Sequence, residues 1–358
     1  MHLIELTCDN FRGLVELSFM PEPGANLIQG DNAQGKTSIL EAIQYLATSK
    51  SHRTNVESEL VRRGEPGFKL AAQVQRRDRE VSLEAIWWQG AKRIRVNGVN
   101  QTRVSDLLGK INVVFFSPED VGLVRGSASQ RRTFLDMELS QLSPRYLHAL
   151  QQYRNVVRQR NELLRQPRPD AALLDVWDEQ LATHGTVLID ERRLFVEALA
   201  PNAAAAYSAI AGHEPMVLTY RPDVRDGTPF VEVLAASREN DLRQGVTTHG
   251  PHRDDMLFAV DEKAARPFAS QGQQRTAALA LKLAELELIR ARVGEYPILL
   301  LDDVFSELDA NRSRRLVETL PAQVQCIMTT TDLTDKEGLF PKDCARFSVK
   351  AGVVSRVA

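Results

Sequence analysis

A glycine-rich segment near the start of the 358-residue chain has the composition of a phosphate-binding loop. The run from position 30 to position 37 reads GDNAQGKT and fits the pattern GxxxxGK[ST] in full. Glycines let the backbone curl so that successive N–H groups face an anion, and a helix N-terminus adds positive potential. Lys36 can then reach the β- and γ-phosphates of a nucleotide, and the Thr37 hydroxyl can ligate Mg²⁺. The predicted ATP-binding residues are Gly30, Asp31, Asn32, Ala33, Gln34, Gly35, Lys36, Thr37 and Ser38.

The segments on either side of this loop favour the phosphate site over a chance glycine-rich turn. The apolar stretch 26–29 before the loop is typical of a strand, and residues 38–47 after it have helical spacing. A strand that leads into the loop and a helix that leaves it are the context that a P-loop requires.

A second acidic segment could complete the site. The apolar run Ile298–Leu301 is followed directly by Asp302 and Asp303. Asp302 at the tip of a strand can hold Mg²⁺ together with Thr37, and Asp303 can orient or deprotonate an attacking water. The alternative is a strand that simply ends in a solvated acidic turn. The predicted catalytic residues are Lys36, Asp302 and Asp303, and the predicted magnesium ligands are Thr37 and Asp302.

The elements that must position these groups lie at both ends of the chain. Lys36 and Asp302 are 266 positions apart, so a large insertion separates the two halves of the site. Strand and helix patterns alternate at both ends, with an Asn97-Gly98 hairpin signal in the first part. The middle is mainly helical. We expect its prolines, including Pro201, to divide it into helices, and we expect strands at 216–220 and 230–233.

These patterns predict an α/β fold: a discontinuous P-loop ATPase head with an inserted, mainly helical arm. The expected division is residues 1–116 for the first part of the head, 117–245 for the arm and 246–358 for the second part. The composition is that of an ordinary globular protein, with a net charge of −2 and three dispersed cysteines. No secretory signal or bilayer-spanning apolar run is evident, which indicates a cytoplasmic protein without a membrane partner.

Several further motifs resemble those of one branch of ATPases. The run SQGQQR (270–275) resembles the signature motif of ABC ATPases, FSELD (305–309) resembles their D-loop, and NFRG (10–13) resembles the first strand and turn of SMC-type heads. Together they resemble the SMC branch of the ABC ATPases. The runs GSASQRRTFLD (126–136) and HGPHRDD (249–255) are similar to those of bacterial recombination mediators within that branch.

The resemblance implies how the nucleotide works. In this class the signature of one subunit meets the γ-phosphate of ATP on the other, which implies trans contacts from Ser270, Gly272 and Gln273 and D-loop roles for Ser306 and Asp309. ATP would join two heads into a homodimer, and slow, DNA-stimulated hydrolysis would release them. Two features depart from the general pattern: Asp303 stands where Glu is usual, and residues 329–332 replace the usual switch histidine. A Q-loop would lie near 116–120.

The resemblance also implies the partners. It implies binding to duplex DNA near single-strand gaps or junctions, loading of a recombinase with RecO- and RecR-type mediators, and a role in replication, repair and the SOS response. Two other functions remain open at this point: an ATPase subunit of a transporter, and an adaptor that binds ATP without hydrolysing it. The long insertion and the missing switch histidine disfavour the transporter.

Local clusters of arginine are the candidates for DNA contact. Residues 145–168 contain six arginines and one acid, and the spacing of Arg154, Arg158 and Arg165 places them on one helical face. The alternative is a solvated face whose acids come from a neighbouring helix. Residues 50–110 hold 13 basic and 7 acidic residues, which makes phosphate contact plausible there as well. The predicted DNA-binding residues are Arg131, Arg132, Arg154, Arg158 and Arg165.

Overall fold

The computed structural model describes residues 1–103, 106–212, 214–306, 308–331, 338–340 and 343–357. The strands are β1 (His2–Phe11), β2 (Leu14–Phe19), β3 (Ala25–Gln29), β4 (Gly67–Gln75), β5 (Glu80–Trp88), β6 (Ala91–Val96), β7 (Val99–Asn100), β8 (Val113–Phe116), β9 (Met216–Arg221), β10 (Asp255–Val260), β11 (Lys263–Ala264), β12 (Ile298–Leu301), β13 (Cys326–Thr330), β14 (Ala345–Lys350) and β15 (Val353–Val357). The helices are α1 (Lys36–Thr48), α2 (Gly122–Arg125), α3 (Ala128–Leu142), α4 (Pro144–Leu164), α5 (Ala171–Ala211), α6 (Phe230–Gln244), α7 (Ala265–Phe268), α8 (Gln271–Val293) and α9 (Ala310–Thr319).

A largely parallel sheet joins the two ends of the chain. Its strand order is β15-β14-β3-β13-β12-β8, and only β15 is antiparallel to its neighbour. Alternate residues face two different cores: Ile298 and Leu300 of β12 point to one side, and Leu299 and Leu301 point to the other. Burial of both faces explains why the central strands are continuous apolar runs. The predicted α/β head therefore forms from both ends of the sequence.

An antiparallel sheet covers one face of the parallel sheet. Its order is β2-β1-β4-β5-β6-β7, and its inner face shares a core with α1 and the parallel sheet. The predicted hairpin is confirmed, because Asn97 and Gly98 have φ of 49° and 77° between paired β6 and β7. Two consecutive positive φ angles are what a type I′ turn requires.

The mainly helical middle of the chain packs on the other face. Helices α3, α4, α5 and α8 share the second core, and a three-stranded sheet of order β11-β10-β9 packs with them. Strand β9 belongs to the predicted arm, whereas its partner β10 lies beyond residue 245. The division at 116 and 245 stays a prediction, with one sheet bridging the second boundary.

Two local expectations were wrong. Pro201 does not divide the arm: it lies inside α5, which runs unbroken over 41 residues. Burial of Phe195, Leu199 and Tyr207 along that helix fixes it in the core, and this packing outweighs the unfavourable proline. The stretch 230–233 is not a strand but the first turn of α6, whose buried positions Phe230 and Leu234 follow a helical period.

Helix α5 also has the length and apolar composition of a membrane span, and no other described helix does. Within its most apolar window, 33% of the residues are buried inside the protein. Its buried side chains pack against the rest of the second core, as those of a core helix do. This result differs from the expectation drawn from short apolar runs, because the many alanines of the helix raise its mean hydropathy without forming a long run of large apolar residues.

Replacing Pro201 with Ala should stabilise the protein. The substitution restores an interior helical hydrogen bond and removes a ring clash, together about 1–3 kcal/mol. Pro144 is the matched control, because it occupies the first turn of α4, where no helical partner for the N–H exists. Pro144→Ala should change the free energy of unfolding by less than about 1 kcal/mol. Denaturant unfolding measures both, and an unchanged value for Pro201→Ala would contradict the expected gain.

Candidate nucleotide-binding site

The glycine-rich loop connects β3 to α1 at the end of the parallel sheet. Gly35 has a φ of 106°, which favours glycine, and Ala33 also has a positive φ of 63°. At Gly30, a Cβ atom would lie 2.5 Å from the carbonyl oxygen of Val349, so a side chain does not fit there. The Lys36 Nζ donates to the carbonyls of Gly30 and Asp31 at 2.6 and 2.7 Å. An ammonium group has three donors, and one is left for a phosphate oxygen.

The β14–β15 turn is hydrogen-bonded to this loop. The backbone N–H of Gly352 donates to the Gln34 carbonyl at 3.1 Å, and that of Ala351 donates to the Gln34 Oε1 at 2.6 Å. Both contacts join residues more than 300 positions apart. The loop conformation therefore depends on the far end of the chain, which no local pattern predicts.

The structure places Asp302 in contact with the end of the loop and Asp303 in the same cleft. Asp302 Oδ1 accepts hydrogen bonds from the hydroxyls of Thr37 at 3.1 Å and Thr329 at 2.7 Å. Burial raises the pKa of Asp302, although both hydroxyl donors oppose that rise. The Thr37 and Asp302 oxygens are adjacent, hard ligands, so this pair fits a magnesium ion. Sequence reasoning took Thr329 only as part of a replaced switch segment and missed its contact with Asp302.

Asp303 has an unusual local structure. Its φ is 48°, and its backbone N–H donates to the Thr329 hydroxyl at 2.9 Å. Its Oδ1 is buried and has no hydrogen-bond partner among the residues described. A buried carboxylate oxygen without a donor beside a phosphate loop can accept a proton or orient a water when a nucleotide is bound.

A cleft of about 510 Å³ opens beside the loop. Sequence reasoning did not assign two arginines here, Arg12 and Arg53, to the site. Arg12 pairs with the fully buried Glu41 of α1 at 2.8 and 3.0 Å. A glutamate among the apolar positions of α1 is the signal that a buried cation must lie nearby. The cleft is lined by Arg12, Gly13, Asn32, Ala33, Gly35, Lys36, Thr37, Ser38, Arg53, Glu59, Val61, Asp302, Asp303 and Thr331.

The signature residues do not line this cleft. Ser270 is exposed and caps the N-terminus of α8, where its hydroxyl accepts from the Gln273 N–H at 3.2 Å. Gly272 lies beside α9, so that a Cβ there would be 2.6 Å from the Arg312 Nη1. A serine at a surface helix N-terminus is a suitable anion ligand for a second molecule.

The D-loop lies between the acids and α9. The Ser306 hydroxyl donates to the Asp303 carbonyl at 2.7 Å, and Asp309 caps α9 by accepting from two backbone N–H groups. Glu307 of this motif and Asp332 of the switch segment lie outside the described residues. In the expected Q-loop region, the buried Ser117 and the half-buried Asp120 form a capping box directly after β8.

The candidate DNA residues divide into two groups. Arg131 is buried and pairs with Asp255 at 2.6 Å, and Arg132 donates to the Asp254 carbonyl. Burial and the ion pair with Asp255 remove Arg131 from the candidate DNA contacts. Arg154, Arg158 and Arg165 are exposed, whereas Arg160 is fully buried between Asp178 and Asp241. The surface therefore exposes fewer of these arginines than the sequence suggested, because Arg131 and Arg160 are buried.

Buried ion pairs join the arm to the segment 249–255. Arg192 of α5 donates to Asp136 at 2.7 Å and to Asp254 at 2.8 Å, and Asp136 also accepts from Arg154. His249 pairs with Asp223, and His252 is hydrogen-bonded to Tyr153. Both histidines therefore connect this segment to neighbouring parts of the fold. The described residues contain no group of side chains suited to hold a metal by His, Cys or acids alone.

Comparison with known proteins gives one consistent result. The family described as "RecF/RecN/SMC N terminal domain" matches residues 2–337. The chain is 41% identical over 371 residues to the "DNA replication and repair protein RecF" of Halalkalibacterium halodurans, covering 99% of this chain and 100% of that protein. It is 43% identical over 366 residues to the protein of the same description from Bacillus cytotoxicus, covering 99% and 98%.

Solved structures agree with these relatives. The structure titled "Structure of the recombination mediator protein RecF-ATP in RecFOR pathway" aligns with a TM-score of 0.91 at 34% identity, covering 100% of this chain and 98% of that one. The Smc head domain of Pyrococcus furiosus aligns with a TM-score of 0.61 at 15% identity, covering 99% and 96%, which is a likeness of fold alone.

The fold and the cleft define an SMC-type P-loop ATPase head with a discontinuous sequence and a helical insertion. Within that class, the chain belongs to the RecF family. The resemblance inferred from the signature, D-loop and 249–255 motifs is thereby confirmed.

The buried pairs of Arg192 should be essential to stability. Arg192→Met leaves the carboxylates of Asp136 and Asp254 with fewer partners in the core, at a cost of about 3–5 kcal/mol. The neighbouring Arg193 is the matched control, because its pairs with Asp190 and Asp226 lie at the surface. Arg193→Met should cost less than about 1 kcal/mol. Denaturant unfolding compares the two, and equal losses would contradict a special role for the buried pairs.

Proposed function

We propose that this chain is an ATP-gated DNA-binding protein of recombinational repair. Two copies join around two ATP molecules, bind duplex DNA near single-strand gaps, and help to load a recombinase in the cytoplasm. The observation that carries this proposal is the division of the site: the P-loop cleft lies on one surface, and the exposed Ser270 cap lies outside it. RecO- and RecR-type proteins are the proposed partners, supported by family membership.

The P-loop cleft has the residues for ATP and Mg²⁺. Lys36 and the loop N–H groups bind phosphates, and Thr37 with Asp302 would hold the metal, which would neutralise phosphate charge. Asp303 holds or orients the attacking water through its Oδ1, which has no hydrogen-bond partner among the described residues. Because aspartate is one methylene shorter than the usual glutamate, hydrolysis is slow and the dimer is long-lived.

ATP gating follows from the chemistry of the exposed cap. A helix N-terminus with an exposed hydroxyl donor binds a γ-phosphate, and ADP lacks a γ-phosphate. Ser270, Gly272 and Gln273 of one copy therefore complete the cleft of the other only when ATP is bound. The D-loop residues Ser306 and Asp309 lie between the acids and α9, which suits a role at the same interface.

The exposed arginines of α4 and of its C-cap, Arg165, are the proposed DNA contacts. Arg158 and Arg165 are exposed without an acidic partner among the described residues, and Arg154 is 59% exposed although it pairs with Asp136. Such a face binds the phosphate backbone with little preference for sequence. Arg132 is half-buried with one donor bound to a carbonyl, so it contributes less.

Solution mass tests the dimer. The wild-type chain should double in mass with ATP and Mg²⁺ but not with ADP or without nucleotide, because only ATP carries the γ-phosphate. Lys36→Met should stay monomeric because it loses phosphate binding, and Ser270→Arg should bind ATP yet stay monomeric. Asp303→Asn should dimerise and dissociate more slowly, since it removes the carboxylate that activates water. Light scattering after size exclusion measures all four.

The outcomes separate this function from its alternatives. A wild-type mass that never responds to ATP would refute the trans contact. Unchanged ATP turnover in Asp303→Asn would show that this carboxylate does not activate water. Co-purification with a membrane protein would favour a transporter subunit instead.

DNA affinity tests the arginine face. The double variant Arg158→Gln and Arg165→Gln should bind duplex DNA more weakly with ATP, and its salt slope should fall by about 2, because two phosphate contacts are lost. Arg356, an exposed arginine on β15 that pairs with Glu22, is the control and should leave the slope unchanged as Arg356→Gln. Fluorescence anisotropy over a salt series measures the slope. Equal salt slopes for the wild type, the double variant and Arg356→Gln would show that DNA binds at another surface.

A further inference from the structure

The signature segment is fixed by the side chain of one glutamine. The Oε1 of Gln273 accepts from the Ser270 N–H at 2.9 Å, while the Ser270 hydroxyl accepts from the Gln273 N–H. This reciprocal capping box satisfies two N–H groups at the start of α8. It also uses the oxygen of the Gln273 amide, so the amide nitrogen must point the other way.

The nitrogen of that amide meets a carboxylate outside the signature. Gln273 Nε2 donates to Glu214 Oε2 at 3.1 Å, and the same oxygen accepts from the Tyr207 hydroxyl at 3.0 Å. Because the Ser270 N–H needs the amide oxygen and Glu214 needs the amide N–H, both contacts select one orientation of Gln273. Glu214 therefore favours the same orientation of the Gln273 amide that the capping box requires.

Glu214 also connects the signature to the arm. It lies between the end of α5 and the start of β9, and Tyr207 is a fully buried residue near the end of α5. Burial, followed by the contact with Glu214, raises the pKa of the Tyr207 hydroxyl, so that group stays a donor. The α9 side chain of Arg315 donates to the Ile210 carbonyl at 3.3 Å. One end of α5 thus contacts the D-loop helix directly and the signature through Glu214.

We propose that Glu214 is a positioning residue for the trans ATP contact. It holds Gln273, and through it Ser270, in the geometry that meets the partner's γ-phosphate, and it does so only while the end of α5 is in place. This inference rests on the proposed ATP-dependent dimer.

A shape-preserving exchange tests the link. Gln273→Glu keeps an oxygen for the Ser270 N–H, and glutamate is a normal residue for this capping position. It removes the donor to Glu214, however, and sets two carboxylates against each other. We expect this variant to need at least about tenfold more protein to dimerise with ATP, as for the loss of one charged hydrogen bond. Glu214→Gln retains an acceptor for both donors and should differ from wild type by less than about threefold.

The reciprocal double variant should restore dimerisation. In Glu214→Gln with Gln273→Glu, the amide and the carboxylate change places, so Gln at 214 donates to Glu at 273 and still accepts from Tyr207. The dimerisation constant should return to within about threefold of wild type, which a merely additive loss would not allow. Glu214→Ala, at a half-exposed position, is a second variant that deletes the acceptor and should weaken dimerisation like Gln273→Glu.

The readouts separate this inference from the function on which it rests. ATP binding to the monomer should be equal in wild type, Glu214→Gln and Glu214→Ala, because Glu214 does not line the P-loop cleft. Failure of the wild type to dimerise with ATP would refute the proposed function. A wild type that dimerises, with Gln273→Glu and Glu214→Ala dimerising equally well, would overturn the role of Glu214. A double variant no better than Gln273→Glu would overturn it too.

Discussion

The parallel pairing of β3 with β13, and of β13 with β12, is the contact on which the site depends. It places residues 25–29 beside residues 326–330, and next to these the strand that ends at Asp302. Carboxyl ends of parallel strands meet at one edge of a sheet, so Lys36 of the loop and Asp302 become neighbours although 266 positions separate them. Thr329 at the end of β13 then bridges the two acids.

In the proposed dimer, one chain holds only half of each composite site. The P-loop and acids open into a cleft, whereas the capping box of Ser270 faces solvent at the start of α8. Such a division makes assembly conditional on the ligand, because a γ-phosphate is what both halves bind. In this proposal the arm also acts on the interface, because Tyr207 near the end of α5 contacts Glu214 and the Ile210 carbonyl accepts from Arg315 of the D-loop helix.

Buried ion pairs, as well as apolar contacts, set the position of the arm. Arg160 and Arg192 are each buried between two aspartates, and three of the four pairs join segments more than 50 positions apart. Directional bonds of this kind specify one arrangement of helices where apolar packing would tolerate several. The same pairing explains why arginines that look like a DNA surface in the sequence are partly internal.

The sequence alone determined the chemistry and most of the elements. The loop GDNAQGKT, the strand ending in Asp302 and the hairpin at Asn97-Gly98 are local patterns whose physical requirements lie within a few residues. Tertiary structure decided the features that depend on contacts between residues far apart in the chain. Packing kept α5 helical through Pro201, burial turned Arg131 and Arg160 inward, and the fold brought Thr329 to Asp302 and Glu214 to Gln273. Such contacts join positions far apart in the chain, so no local periodicity or motif encodes them.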